Sequence, residues 1–150
     1  MQSFPKTGKK KRIKIKHTST KRERQKWIDA TCRLSSKLVH KRDNYRCMWC
    51  GGSSSLGSHH IVAKGISRGN KMAYFDTDNQ VLLCYNCHIN KLKQMPDEYI
   101  EFRDSFLKGR GLNYKVMRIK YGTICKLHIS DIKIIYADLK RQCVSEGIEL

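Results

Sequence analysis

Two C-x-x-C pairs, Cys47/Cys50 and Cys84/Cys87, bracket a double histidine at His59-His60 and an asparagine at Asn79. A third histidine, His88, follows the last cysteine directly. Zinc takes four soft ligands in a tetrahedron, and each C-x-x-C turn presents two sulfurs from one knuckle. The 33 residues between Cys50 and Cys84 exceed the spacing of short zinc fingers. The intervening piece should therefore be a folded insert whose two ends the metal pins together. Four thiolates leave no open position for a substrate, so this Zn²⁺ is expected to be structural.

The histidines suit a different task. A neutral imidazole, with an unperturbed pKa near ~6.5, can take a proton from water. Phosphodiester hydrolysis needs such a base, and a cation to neutralise charge on the leaving oxygen. Adjacent residues on a strand point to opposite faces. His59 and His60 therefore divide the work: one binds Mg²⁺ or another divalent cation, the other faces the attacking water. His88 can bring a second imidazole to the same ion. The Asn79 amide can bond backbone or fix a histidine ring. Read alone, a histidine beside a zinc knuckle is more often structural than catalytic. The rival to an enzyme is thus a non-catalytic zinc-containing DNA-binding module. His17, His40 and His128 fall outside the pattern.

Charge points to the partner. The 150 residues carry 31 Lys and Arg against 13 Asp and Glu, a net +18. Sixteen of the basic residues, against three acids, lie in the first fifty positions. Such asymmetry favours a polyanion, above all nucleic acid; the expected partner is DNA, double-stranded or branched. Lys9, Lys10, Lys11, Arg12, Lys14 and Lys16 form a basic arm suited to phosphates, and Arg68 and Lys91 are further candidates for phosphate contact. No apolar run approaches ~18 residues, which excludes a membrane span. The N-terminus is charged and lacks the apolar stretch of a signal peptide. Cys32, Cys125 and Cys143 fit no pairing pattern and read as reduced thiols. A cytoplasmic setting is expected, that of a bacterial host cell if the chain is phage-encoded.

These side chains need elements to position them. Residues 1–19 read as a disordered arm, 20–44 as a basic helix packing on the core, 45–95 as the zinc-stapled module and 96–150 as a helical extension. Thr20, with Glu23 three residues on, reads as a capping box opening a helix to Arg42. Trp27, Ala30, Thr31, Leu34, Leu38 and Val39 supply its apolar stripe. The other face carries Arg22, Lys26, Arg33, Lys37 and Arg42 toward solvent or phosphate. Residues 58–63 read as a strand, with a return strand beginning at Tyr74-Phe75 and a turn over 76–80. A helix follows from about Tyr85 to Gln94, stopped by Pro96. Residues 97–108 are helical in pattern, 112–128 suit a helix interrupted at Gly122, and Ser130 reads as the N-cap of a last helix over 131–146. A hydrophobic fraction of 39% allows only a modest core. A core drawn from a segment as short as 47–91 is marginal without a metal staple.

The order C-x-x-C, H-H-I-V, D-N, L-C-x-x-C-H-x-x-K over residues 45–93 resembles the HNH endonuclease family. The resemblance implies an α+β protein: a small ββα-metal nuclease core stapled by a four-cysteine zinc and flanked by helices. It implies that His60 is the general base, that His59 and His88 are ligands of the catalytic ion, and that Asn79 braces the catalytic loop. The paired histidines before a D-N turn also resemble the nuclease domains of DNA-cleaving colicins, which lack the four cysteines. More weakly, the G-x-S-R-G loop at 65–69, F-D-T-D-N, C-Y-N-C and the final helix are similar to phage NinG/Rap-type recombination nucleases. His59 and His88 depart from that group's pattern. Homing, restriction and packaging-associated enzymes stay open as alternatives. One such site cuts one strand, so a double-strand break would call for a homodimer or two visits.

Overall fold

The computed structural model describes residues 18–67 and 70–150. The basic-arm residues Lys9, Lys10, Lys11, Arg12, Lys14 and Lys16, and Arg68 in the loop, lie outside the described residues. Among the described residues the chain is a mixed α+β structure: six helices and a short 3₁₀ turn flank one two-stranded sheet.

The first helix, α1, spans Thr18–Arg42. It begins two residues before the expected cap, so Thr20 lies inside its first turn. Ile28, Thr31, Leu34, Ser35 and Val39 are buried at three- and four-residue steps, whereas Trp27, Ala30 and Leu38 are half-buried. The chief partner of this stripe is the last helix, α6 (Ile129–Ser145). Ile28 and Ile132 close on Phe75, and Leu34 packs with Leu139 and Cys143. The cap of α6 is His128, whose N–H donates to Asp131 Oδ2 at 2.7 Å; Ser130 is already within the helix. Gly147, at φ +67°, ends it in the left-handed conformation that glycine adopts freely.

Strand β1 (Leu56–His60) pairs antiparallel with β2 (Gln80–Cys84), with His59 opposite Val81 and His60 opposite Gln80. The strand stops three residues earlier than the sequence suggests. Beyond His60 the backbone leaves the ladder because the Asn79 side chain takes both polar groups of Val62. Tyr74 and Phe75 do not begin a strand; they end a short helix, α2 (Met72–Phe75). Adjacent aromatics favour a strand locally. Here Asn70 Oδ1 accepts from Met72 N at 3.1 Å, and the turn buries Ala73 and Phe75. Tertiary demands outweigh strand propensity. A 3₁₀ turn over Thr77–Asn79 then feeds β2.

Four of the five β2 residues are buried, because α1 crosses one side and the core around the cysteine pairs lies on the other. That core joins Cys47, Ile61, Val62, Val81, Leu83 and Cys87 to Leu107, Met117 and Tyr121 from the C-terminal helices. The free edge of β2 is sealed by the first knuckle. Met48 N donates to Leu82 O at 2.9 Å, and Leu82 N donates to Asp43 Oδ2 at 2.8 Å.

After β2 comes α3, a π-helical stretch over Asn86–Lys91 that runs into one α-turn, Leu92–Gln94. This helix ends at Gln94, as the sequence suggests, and Pro96 has a second role. It occupies the first turn of the next, α4 (Pro96–Gly109), where its missing N–H costs nothing. The ambiguous stretch from 112 contains α5 (Tyr114–Gly122), capped by Asn113, whose side chain accepts from Lys115 and Val116. Residues 123–128 are not helical, and Cys125 bridges to Asn70. Among the described residues, no helix is long and apolar enough to cross a membrane.

Candidate metal and histidine site

The two cysteine pairs converge. The sulfurs of Cys47, Cys50, Cys84 and Cys87 all lie within 4.8 Å of one another. A tetrahedron with ~2.3 Å metal–sulfur bonds places its sulfurs about 3.8 Å apart; Cys50 Sγ and Cys84 Sγ are 3.7 Å apart. The four thiols are thus close enough to hold a metal ion, and the geometry is compatible with zinc. Local sequence makes each knuckle. Gly51 adopts φ +76°, which lets its N–H return to Cys47 O at 2.7 Å while Cys47 N donates to Gly52 O at 2.7 Å. In the second pair Cys87 N donates to Cys84 Sγ at 3.5 Å.

Protonation supports the same assignment. Burial pushes the Cys87 thiol up, and its three neighbouring cysteines add to the effect. Burial acts the same way on Cys47, but hydrogen bonds from the backbone at Cys84, Cys50 and Trp49 outweigh it and hold this thiol at about 7. One thiolate is therefore easy to form and the next is opposed by it. A dication among the sulfurs would remove that opposition.

The strand alternation separates the paired histidines as expected. The His59 ring meets His88 from α3, with centroids 4.8 Å apart and planes at 71°. His60 turns toward Tyr74 (centroids 5.9 Å apart), with Nε2 3.4 Å from the Tyr74 carbonyl oxygen. The wide π-turn begins at the residue before Cys87 and places His88 against β1; such turns recur at functional sites. Burial depresses all three imidazoles. His59 falls to about 4, through burial and then the neighbouring His88 and His60. His60 is lowered by burial and then by Lys64, against the Tyr74 carbonyl. His88 is lowered by burial alone. All three rings are therefore neutral near pH 7, with lone pairs for a cation or a proton.

Asn79 is fully buried. Its Oδ1 accepts from Val62 N at 2.8 Å, and its Nδ2 donates to Ala73 O at 2.9 Å and to Val62 O at 3.3 Å. Its backbone carbonyl accepts from Ile61 N at 2.8 Å. All of these partners are backbone groups at the two ends of the 61–73 loop, so Asn79 is a positioning residue that fixes where β1 ends. Lys91 is half-buried, with Nζ 5.6 Å from the Trp49 ring centroid.

Three residues matter beyond those the sequence points to. Tyr99 from α4 places its hydroxyl 2.9 Å from His59 Nε2. Burial pushes its pKa up to about 12, so the phenol keeps its proton. Arg42 is not a solvent-facing cation. It pairs with Asp43 at 2.7 and 2.8 Å and donates to the carbonyls of Thr77 (2.7 Å) and Gln80 (2.8 Å). With Leu82 N on Asp43, this pair fastens the end of α1 to β2. Tyr99 reads as one more apolar position of an amphipathic helix, and Arg42-Asp43 reads as a helix terminus. Only the long-range partners reveal their roles.

Comparison with protein-family models, with curated proteins and with solved structures returned no match.

Proposed function

We propose that the chain is a metal-dependent DNA endonuclease of the HNH type, with β1, β2 and α3 forming a ββα-metal core stapled by structural zinc. The observation that carries this reading is the meeting of His59 and His88 at 4.8 Å while the adjacent His60 turns the other way. Two neutral imidazoles from a strand and a helix fit a divalent ion with positions left open for water and phosphate. Such an ion, when bound, would neutralise charge on the scissile phosphate and on the leaving 3′-oxygen.

The protein's own groups do the rest. His60, neutral near pH 7, accepts the proton of the attacking water. Its Nε2 lies toward the Tyr74 carbonyl, which leaves Nδ1 as the free lone pair. Asn79 holds the start of the loop that follows His60. Tyr99 orients His59, as partners outside the ligand set commonly do for ligating histidines. The expected products are a 5′-phosphate and a 3′-hydroxyl. The basic N-terminal third supports salt-dependent, largely sequence-blind binding. Branched recombination intermediates are the substrate favoured by the weaker resemblance to phage recombination nucleases.

A plasmid-nicking assay with Mg²⁺ or Mn²⁺ tests the proposal. Nicking that requires the divalent ion supports it. Tight DNA binding with no metal-stimulated nicking favours the rival zinc DNA-binding module. A panel of linear, nicked, forked and four-way-junction DNAs then separates recombination from homing, restriction and packaging roles.

A further inference from the structure

Three acids of this module are already committed. Asp76 Oδ2 accepts from Lys120 Nζ at 2.9 Å and from Tyr121 Oη at 2.7 Å. Asp78 is paired with Arg110 at 2.7 Å, and Asp43 is held by Arg42. Two cations on the loop after β1 are in a different position. Lys64 and Lys71 have no ion-pair partner among the described residues. Both sit against one ring: Nζ of Lys64 is 5.4 Å and Nζ of Lys71 is 4.4 Å from the Tyr74 centroid. That ring stands 5.9 Å from the imidazole of His60. The two ammonium groups share one aromatic ring, whose face offsets a missing carboxylate only in part, so both would attract an anion bound beside that ring.

We propose that Lys64 and Lys71, seated on Tyr74, form a phosphate clamp that holds the DNA backbone beside His60. The inference rests on the nuclease reading and adds the substrate contact. Ammonium groups act on phosphate as point charges with no base preference. With cations over its ring, Tyr74 supports them instead of stacking on a base, so the clamp reads backbone alone.

The test is binding of a short duplex DNA by the zinc-loaded protein, without added divalent cation, across a salt series. The variant is Lys64→Met with Lys71→Met, which keeps the aliphatic stems. The control is Lys108→Met with Lys140→Met, two exposed lysines on α4 and α6. Each phosphate contact contributes about 0.9 to the slope of log affinity against log salt. The clamp variant should therefore lose about 1.8 from that slope, and the control much less. Zinc content and circular dichroism show that each variant is folded. A clamp-variant slope equal to wild type overturns the proposal, and so does an equal fall in the control. Because the readout is binding, a protein that never cuts DNA would sink the nuclease reading and still leave the clamp supported.

Discussion

Replacing Asn79 with alanine should destabilise the histidine-bearing module more than any surface change in it. The side chain makes three hydrogen bonds, at 2.8, 2.9 and 3.3 Å, all to backbone. Val62 and Ala73, which supply the partners, are fully buried, as is Asn79 itself. Alanine would strand one N–H and two carbonyl groups away from water. Each lost bond is worth about 1 kcal/mol, and each stranded group costs more where water cannot replace the partner. The 3.3 Å bond counts for little. A total of roughly 3–4 kcal/mol follows, a large share of a typical domain's 5–15 kcal/mol. For a chain of this size that corresponds to a fall in Tm of roughly 6–16 °C. Denaturant titration of the zinc-loaded protein measures it directly. Because the lost bonds lie at the two ends of the 61–73 loop, amide exchange should rise first at Val62. A loss below about 1 kcal/mol, with Val62 still protected, would refute the argument that Asn79 sets the end of β1.

Three further outcomes follow. Native mass spectrometry should find one zinc per chain, and Cys84→Ser should lose it together with the sheet, since structural zinc contributes on the order of 10 kcal/mol in small domains; full zinc content in the variant would contradict the four-thiol assignment. Tyr99→Phe should weaken Mn²⁺ binding at the histidines by roughly 10-fold while leaving zinc content unchanged, and unaltered Mn²⁺ affinity would show that the phenol does not support His59. His59 has its folded pKa at about 4, against about 6.5 unfolded. Between those values the unfolded chain binds the extra proton, so stability is full above about pH 6.5 and falls as pH drops toward 4, by at most about 3 kcal/mol. His59→Asn should make the pH profile shallower in that window, leaving the smaller part carried by His60 and His88, and an unchanged profile would mean that His59 carries none of it.

The four-cysteine cluster was legible because it depends on residue type and spacing. Two C-x-x-C pairs bring four sulfurs together almost regardless of what lies between them. Strand alternation alone separates His59 from His60. Helix existence was equally plain, because α1, α4 and α6 have strong apolar periodicity. Boundaries were less so: Thr20 and Ser130 each carry a local capping signal that the neighbouring turn overrides, whereas the stop before Pro96 falls where the sequence puts it. Tyr74-Phe75 reads as strand by propensity, yet Asn70 and Asn79 impose a helical turn there. The contacts that complete the site span large sequence distances, from Tyr99 to His59 and from Asp43 to Leu82 N. No local pattern distinguishes that tyrosine from other apolar-face residues of its helix. The π-turn at Asn86–Lys91 likewise has no signature in the sequence; it is fixed by where Cys87 and His88 must point.

The central claim is that His60 takes a proton from water in a phosphodiester-cleaving reaction. The direct measurement is plasmid nicking by wild type and His60→Ala side by side, at saturating divalent ion, with zinc content and DNA affinity determined for both. With His60 as the base, nicking should fall by a factor of at least ~100 in the variant, with zinc and DNA binding retained. Nicking by His60→Ala at the wild-type rate would contradict it.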